Sequence, residues 1–164
     1  MRIAAAGVLL AVMLGAAAGP SGAQRSGSDT AVIDKFLESK GDEGNGLLAE
    51  GIRTVIKGDL NHDGVPDAAV LYTLEGAGGG NNYTQYLAVF LRVDGRLVPV
   101  ANNAVGGKLY RSIAIKAIKD NAILCDTLDY AKNDPACCPT IKGKTQYVLE
   151  DKKLKEVKPA PAKP

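Results

Sequence analysis

The sequence predicts an α+β domain that is mostly β, with a short N-terminal helix packed on an antiparallel meander of about seven or eight strands. Two observations support this fold class. Runs of alternating polar and apolar residues succeed one another, and three turn pairs separate them: Asp94-Gly95, Asp120-Asn121 and Asp151-Lys152. Such pairs favour the positive φ of tight hairpin turns. Helical segments do not alternate with the strands, so a parallel sheet is not expected.

The first residues have the pattern of a secretory signal peptide. One early positive charge precedes an apolar run over 3–18, and the small residues of 21–23 follow. We expect residues 1–23 to be removed by cleavage before Gln24, with cleavage after Ala18 as the alternative. A membrane anchor is the other interpretation, but about 16 apolar residues are short for a span. No transmembrane segment is expected after removal, and the mature protein is expected in the periplasm or secreted.

A single domain over 30–157 is expected to follow a polar leader at 24–29. Ser28 or Asp29 is suited to cap a short helix that ends at Gly41. Its apolar residues recur at helical spacing and fall on one face: Val32, Ile33, Phe36 and Leu37.

After the helix, residues 41–51 are interpreted as a flexible connector and 76–82 as a glycine-rich connection. Residues 158–164 form a Pro- and Lys-rich tail with too little apolar surface to fold, so disorder is expected there. The predicted strands lie between these segments, at 52–57, 68–75, 83–93, 96–101, 112–118, 122–130, 144–150 and 153–157. The formal charge of +2, without a basic stripe, argues against a nucleic-acid partner.

The stretch DLNHDGVPD at 59–67 has the spacing of a calcium loop. Calcium prefers six to eight oxygen ligands, and alternate side chains of a short loop can supply most of them. Gly64 permits the sharp bend. Val70 stands where an EF-hand has its bidentate Glu, so a weak site is expected. The expected ligands are Asp59, Asn61, Asp63, Asp67 and the backbone carbonyl of Val65. A loop that has lost its metal, or a plain polar turn, is the alternative.

The same stretch, followed by a strand, resembles the FG-GAP and VCBS repeat. That family has a D-x-N/D-x-D-G-x-x-D loop, and five positions match it: Asp59, Asn61, Asp63, Gly64 and Asp67. The resemblance implies Ca²⁺ bound between strands. One copy is present, so a propeller of repeated blades is not expected. More loosely, the loop together with DPACCP at 134–139 resembles small exported bacterial proteins of unassigned function.

Three cysteines are present: Cys125, Cys137 and Cys138. Export would place them in an oxidising compartment, where one internal bridge is expected. A bridge from Cys125 to Cys137 or Cys138 would close a loop and constrain the unfolded chain by roughly 3 kcal/mol. A bond between the two neighbours, a functional thiol, or unbonded thiols are the alternatives.

No catalytic residues are predicted. His62 is the only histidine, and its place in an exposed polar loop is unsuited to a Ser-His or Cys-His pair. The predicted function is therefore an exported, calcium-stabilised, non-catalytic domain that binds an unknown envelope ligand or protein. A secreted enzyme inhibitor or accessory protein is the alternative, and an envelope hydrolase is the third hypothesis. A hydrolase would require carboxylates clustered near the loop in the folded chain.

Overall fold

The computed structural model describes residues 22–157 and confirms the predicted fold class. Helix α1 (Gly22–Lys40) continues into a short π-helical segment, Gly41–Asn45. Strands follow for the rest of the described chain: β1 Leu47–Gly58, β2 Asp67–Glu75, β3 Tyr83–Val93, β4 Arg96–Gly107, β5 Arg111–Lys119, β6 Ala122–Asp129, β7 Ile141–Glu150 and β8 Lys153–Val157.

The eight strands form one antiparallel sheet in chain order, as a meander requires. β4 and β5 are joined only through Gly107 and Arg111, whereas the other neighbours pair along most of their length. The sheet therefore folds on itself at this point. β1 contacts β5 and β4 contacts β8, so that the half β1–β4 faces the half β5–β8.

Two apolar clusters form the core. One lies between the halves of the sheet and takes residues from β2 to β8, including Leu71, Val89, Ile113, Ile123 and Tyr147. The other joins the helix to the outer face of β2 and β3, through Ile33, Leu37, Val70, Tyr72 and Phe90. β2 and β3 are thus covered on both faces, which explains why β2 is an almost continuous apolar run.

Four elements extend several residues beyond their predicted bounds: the helix, β1, β4, which continues to Gly107 instead of residue 101, and β7, which begins at Ile141 instead of residue 144. The helix already includes 24–29, which was interpreted as a polar leader. Residues 47–51 belong to β1 and are not a flexible connector. A register shift between Leu48 and Arg53 interrupts the pairing with β2, and such a bulge removes the alternation that identifies a strand. The predicted signal peptide up to residue 21, and the tail at 158–164, lie outside the described residues.

Asp29 fastens the helix to the sheet instead of capping its start. Its buried carboxylate accepts hydrogen bonds from both terminal nitrogens of Arg92, at 3.0 and 2.8 Å, and from Lys57 Nζ at 2.8 Å. These bonds, above all those from Arg92, hold the pKa of Asp29 below its ordinary value although burial works in the other direction.

Because the strands run up and down, their connections alternate between two ends of the sheet. We call one the turn end: it carries the loop 59–66 and the turns 94–95, 120–121 and 151–152. The other, the cysteine end, carries the connections 76–82, 108–110 and 130–140.

Candidate functional site

The loop 59–66 at the turn end is closed at its base, because Gly58 and Asp67 are paired as the last residue of β1 and the first of β2. Within the loop, the Asp59 carboxylate accepts backbone N–H groups from His62 at 2.7 Å, Gly64 at 2.9 Å and Asn61 at 3.2 Å. His62 and Gly64 have φ values of 65° and 75°, which turn the backbone around this carboxylate.

Hydrogen bonding shifts the pKa of Asp59 against the effect of burial. Desolvation raises this pKa, but backbone N–H groups, with Gly64 first, stabilise the carboxylate and leave the pKa below its ordinary value. The Asp59 side chain is therefore ionised at neutral pH.

Asn61 and Asp63 form the next turn of the same loop. Asn61 Nδ2 donates to Asp63 Oδ2 at 2.8 Å, and the backbone N–H of Val65 donates to Asp63 Oδ1 at 2.7 Å. Asn61 Oδ1 in turn accepts the backbone N–H of Asp63 at 3.2 Å. Asn61, Asp63 and Val65 are all exposed, so this part of the loop is open to solvent.

Asp67 lies below the loop and is completely buried, with 0% of its surface exposed. Its two oxygens accept the backbone N–H of Leu60 at 2.9 Å and of Arg92 at 2.8 Å. Burial raises the pKa of Asp67, the two backbone hydrogen bonds oppose this rise, and the charges of Asp63 and Asp59 add to it. Asp67 thus holds the loop and strand β3 together. Keeping its negative charge buried near two other carboxylates is unfavourable, and a nearby cation would reduce this unfavourable energy.

The loop is also attached to the second half of the sheet. Asn121, in the β5–β6 turn, donates from Nδ2 to the carbonyl oxygen of Asp59 at 3.1 Å. Beside this contact lies a groove of about 430 Å³. Its lining includes three carboxylates from the hairpin turns and β7: Asp120, Glu150 and Asp151. The sequence does not indicate this proximity, because it depends on how the two halves face each other.

The donor set of the loop fits a calcium ion in chemical type. It consists of oxygens alone, and a carboxylate offers about four acceptor positions, of which Asp63 uses two and Asp59 three. Asn61 directs its amide nitrogen at Asp63, and a rotation of that amide would present its oxygen instead. Among residues 22–157, no group of three or more His, Cys, Asp or Glu side chains is arranged to hold a metal.

The expected bridge from Cys125 is wrong. The disulfide joins the neighbours Cys137 and Cys138, and Cys125 is a buried free thiol. The reason is the register of β6: Cys125 pairs with Thr145 and faces the core between the two halves, whereas both partners lie in the exposed connection 130–140. Burial raises the pKa of the Cys125 thiol to about 12.

At the cysteine end, three connections meet. Tyr130 Oη donates to the carbonyl of Ala136 at 2.7 Å and accepts the backbone N–H of Leu109 at 3.3 Å. Lys108 Nζ donates to Asn81 Oδ1. These contacts surround a cavity of about 410 Å³ lined by Asn81, Tyr83, Lys108, Ala136 and Cys137. The connection 76–82, which has the glycine-rich composition of a linker, thus meets the cysteine loop, and no local signal in the sequence indicates this contact.

A second polar cluster lies near the core, and its polar side chains hydrogen-bond to one another. Arg111 donates to both oxygens of Glu156 at 2.7 and 2.8 Å, to Tyr147 Oη at 2.6 Å and to the Val105 carbonyl at 2.7 Å. The bonds from Arg111 hold the pKa of Glu156 below its ordinary value, and burial raises the pKa of Tyr147. This arrangement ties β5 to β7 and β8.

Comparison of the chain with protein-family models, with curated proteins and with solved structures finds no match. Over residues 22–157, no helix has the length and apolar character that crossing a bilayer requires.

Proposed function

We propose that this chain is an exported, non-catalytic envelope binding or interaction domain, stabilised by one calcium ion at the turn end. The observation that supports the proposal is that three carboxylates lie together in one loop. Asp59 and Asp63 are near its surface, and Asp67 is fully buried beneath them. The raised pKa of Asp67, caused first by burial and then by the two other carboxylates, indicates that this arrangement carries unfavourable charge.

In this proposal the ion is held by Asp59, Asn61, Asp63 and Asp67 together with the carbonyl of Val65. Bound calcium supplies positive charge and no reaction. With a buried acid but no bidentate Glu, the site is expected to be weak, with a dissociation constant on the order of 10⁻⁴ to 10⁻³ M, as in extracellular modules. Asp67 also accepts a hydrogen bond from Arg92, and the Asp59 carbonyl accepts one from Asn121, so a loop closed around the ion would be joined to both halves of the sheet.

The non-catalytic part of the proposal is supported by the places of the nucleophilic and basic side chains. The single histidine of the chain, His62, is in the exposed loop, and the Cys125 thiol is buried with its pKa raised to about 12. Neither has the setting of an activated nucleophile and its base.

A hydrolase is the second candidate, because three carboxylates line the groove beside the loop: Asp120, Glu150 and Asp151. Glu150 is paired with Lys155, so Asp120 and Asp151 are the groups of interest for an acid–base role. Hydrolysis of an envelope polymer that depends on Asp151, and is absent in Asp151→Asn, would favour this candidate over a binding domain.

The test of calcium stabilisation is thermal unfolding of the mature protein in EDTA and in millimolar Ca²⁺. At a free concentration ten times the dissociation constant, linkage gives about RT ln 11, or roughly 1.4 kcal/mol. For a domain of this size the midpoint should rise by about 3–6 °C.

The matched variants are Asp63→Asn and Asp42→Asn. Asp63→Asn removes one loop charge but keeps an acceptor for the Val65 N–H, so its calcium shift should fall to under about half. Asp42→Asn removes the same charge from the exposed π-helical segment at the other end, and its shift should equal that of the wild type. Identical unfolding curves of the wild-type protein in EDTA and Ca²⁺ would refute the calcium proposal.

A further inference from the structure

The bond between Cys137 and Cys138 does not act as a structural staple. A disulfide stabilises a fold mainly by closing a long loop in the unfolded chain, and the gain grows with loop length. Here the sequence separation is 1, so there is almost no loop to close. The bond therefore contributes little to folding by this route, and its presence calls for another role.

The surrounding connection is held in place without that bond. The Asp134 carboxylate accepts the backbone N–H of Ala131 at 2.8 Å, and the N–H and hydroxyl of Thr140 at 2.9 and 3.0 Å. The Cys138 N–H donates to the Pro135 carbonyl at 2.9 Å. Together with the bond from Tyr130 to Ala136, these contacts fix both sides of the cysteine pair.

The pair is also accessible and of a reducible type. Both cysteines are exposed. Exposed disulfides are the ones that thiols reduce readily.

The cavity at the cysteine end gives one of the two sulfurs a distinct environment. Cys137 lines this cavity together with Lys108. The hydrogen bond to Asn81 keeps the Lys108 ammonium group in the wall. A cation in the wall beside the attacked sulfur favours the approach of a negatively charged thiolate.

We infer that Cys137 and Cys138 form a thiol–disulfide exchange site, whose reaction partner is a dithiol reductant that approaches through the cavity beside Lys108. The inference is independent of the proposed calcium ion, which belongs to the opposite end of the sheet. Cys125 takes no part, because it is buried on β6 between the two halves.

The exchange is balanced in atoms and electrons. A thiolate of the dithiol attacks Cys137 Sγ, the bond between the two protein sulfurs breaks, and Cys138 leaves as a thiolate that takes up a proton. The second thiol of the partner loses its proton and attacks the partner's sulfur in the mixed disulfide, which releases Cys137. Two electrons and two protons pass to the protein, and the dithiol becomes a disulfide.

The first experiment is a redox titration of the folded mature protein with reduced and oxidised dithiothreitol, without calcium, followed by maleimide labelling and peptide mass spectrometry. We expect label on Cys137 and Cys138 together and none on Cys125, with a change of under about 2 °C in the unfolding midpoint. Labelling only after unfolding, or reduction that lowers the midpoint by more than about 2 °C, would show a structural bond and overturn the inference.

The second experiment tests the cavity. The rate of reduction by dithiothreitol is measured for Lys108→Gln and for Lys116→Gln, whose lysine pairs with Asp126 on β6, away from the cavity. Loss of the cation in the cavity wall weakens the attraction of the attacking thiolate, so Lys108→Gln should react about three- to fivefold more slowly and Lys116→Gln at the wild-type rate. Equal rates in the two variants would overturn the approach through the cavity.

Discussion

Replacement of Asp67 by Ala tests the role of the buried carboxylate directly. The substitution removes the acceptor of two backbone N–H groups, those of Leu60 and Arg92, at a side chain that is 0% exposed. Leaving a buried donor unpaired costs about 1–3 kcal/mol. Two such donors would cost up to about 6 kcal/mol, but the variant also relieves the burial of a charge, which the raised pKa of Asp67 records.

We therefore expect Asp67→Ala to lower the free energy of unfolding by about 2–4 kcal/mol. At about 3 °C per kcal/mol this is a fall of roughly 6–12 °C in the midpoint. Asp67→Asn retains one acceptor oxygen at the same volume, so it should lose about half as much. The measurement is urea unfolding in EDTA, so that loss of calcium does not contribute.

Asp63→Ala is the control, because its carboxylate is exposed and water can take over its two hydrogen bonds. Its expected cost is about 0.5 kcal/mol or less. If Asp67→Ala and Asp63→Ala were equally stable, Asp67 would not fasten the loop to β3, and the assignment of its two hydrogen bonds would be refuted.

Two further predictions concern the sheet. Glu156→Gln leaves the buried Arg111 without an anionic partner and should cost about 1–2 kcal/mol at pH 7, since the carboxylate is 39% exposed and partly screened. Because the folded pKa of Glu156 is lowered from 4.5, its contribution is complete above that value and is lost as pH falls through the folded pKa. The unfolding midpoints of the two proteins should therefore converge as pH falls from 4.5 through the folded pKa, and a constant difference would contradict this. Gly58→Ala would place its Cβ 2.7 Å from Ile118 Cβ, where β1 crosses β5, and should lower the free energy of unfolding by about 1–3 kcal/mol in denaturant unfolding. Gly41→Ala is the control, because its Cβ would make only ordinary contacts and the stability should be nearly unchanged. Equal effects of the two substitutions would contradict the close approach of β1 and β5.

The strands and turns could be predicted because their signals are local. Positive φ values occur at Asp94, Asp120, Asn121, Asp151 and Lys152, where turn pairs were expected. The point at Gly107 and Arg111 where the sheet folds on itself has no such local signal. It arises because β4 and β5, each a continuous strand, lose their pairing with one another.

The residues of the loop 59–67 and the cysteines show how far local sequence signals reach. Asp59, Asn61 and Asp63 are close in sequence, so their proximity was predictable, whereas the carboxylates of the groove come from turns far along the chain. Whether Cys125 can reach a cysteine of the loop 130–140 depends on the face of β6 that its side chain occupies. Spacing alone allowed a bridge, but the register turned the thiol into the core.

Arg92 links the parts of the turn end into one unit. Its guanidinium holds Asp29 of the helix, its Nε donates to the Pro66 carbonyl at 3.0 Å, and its Nη1 donates to the Gly95 carbonyl at 3.1 Å. Its backbone N–H is held by Asp67. A change of charge in the loop therefore acts on the same residue that docks the helix, because both depend on the position of Arg92. Calcium at the loop would then stabilise the helix as well as the β1–β2 connection, although the ion and the helix share no ligand.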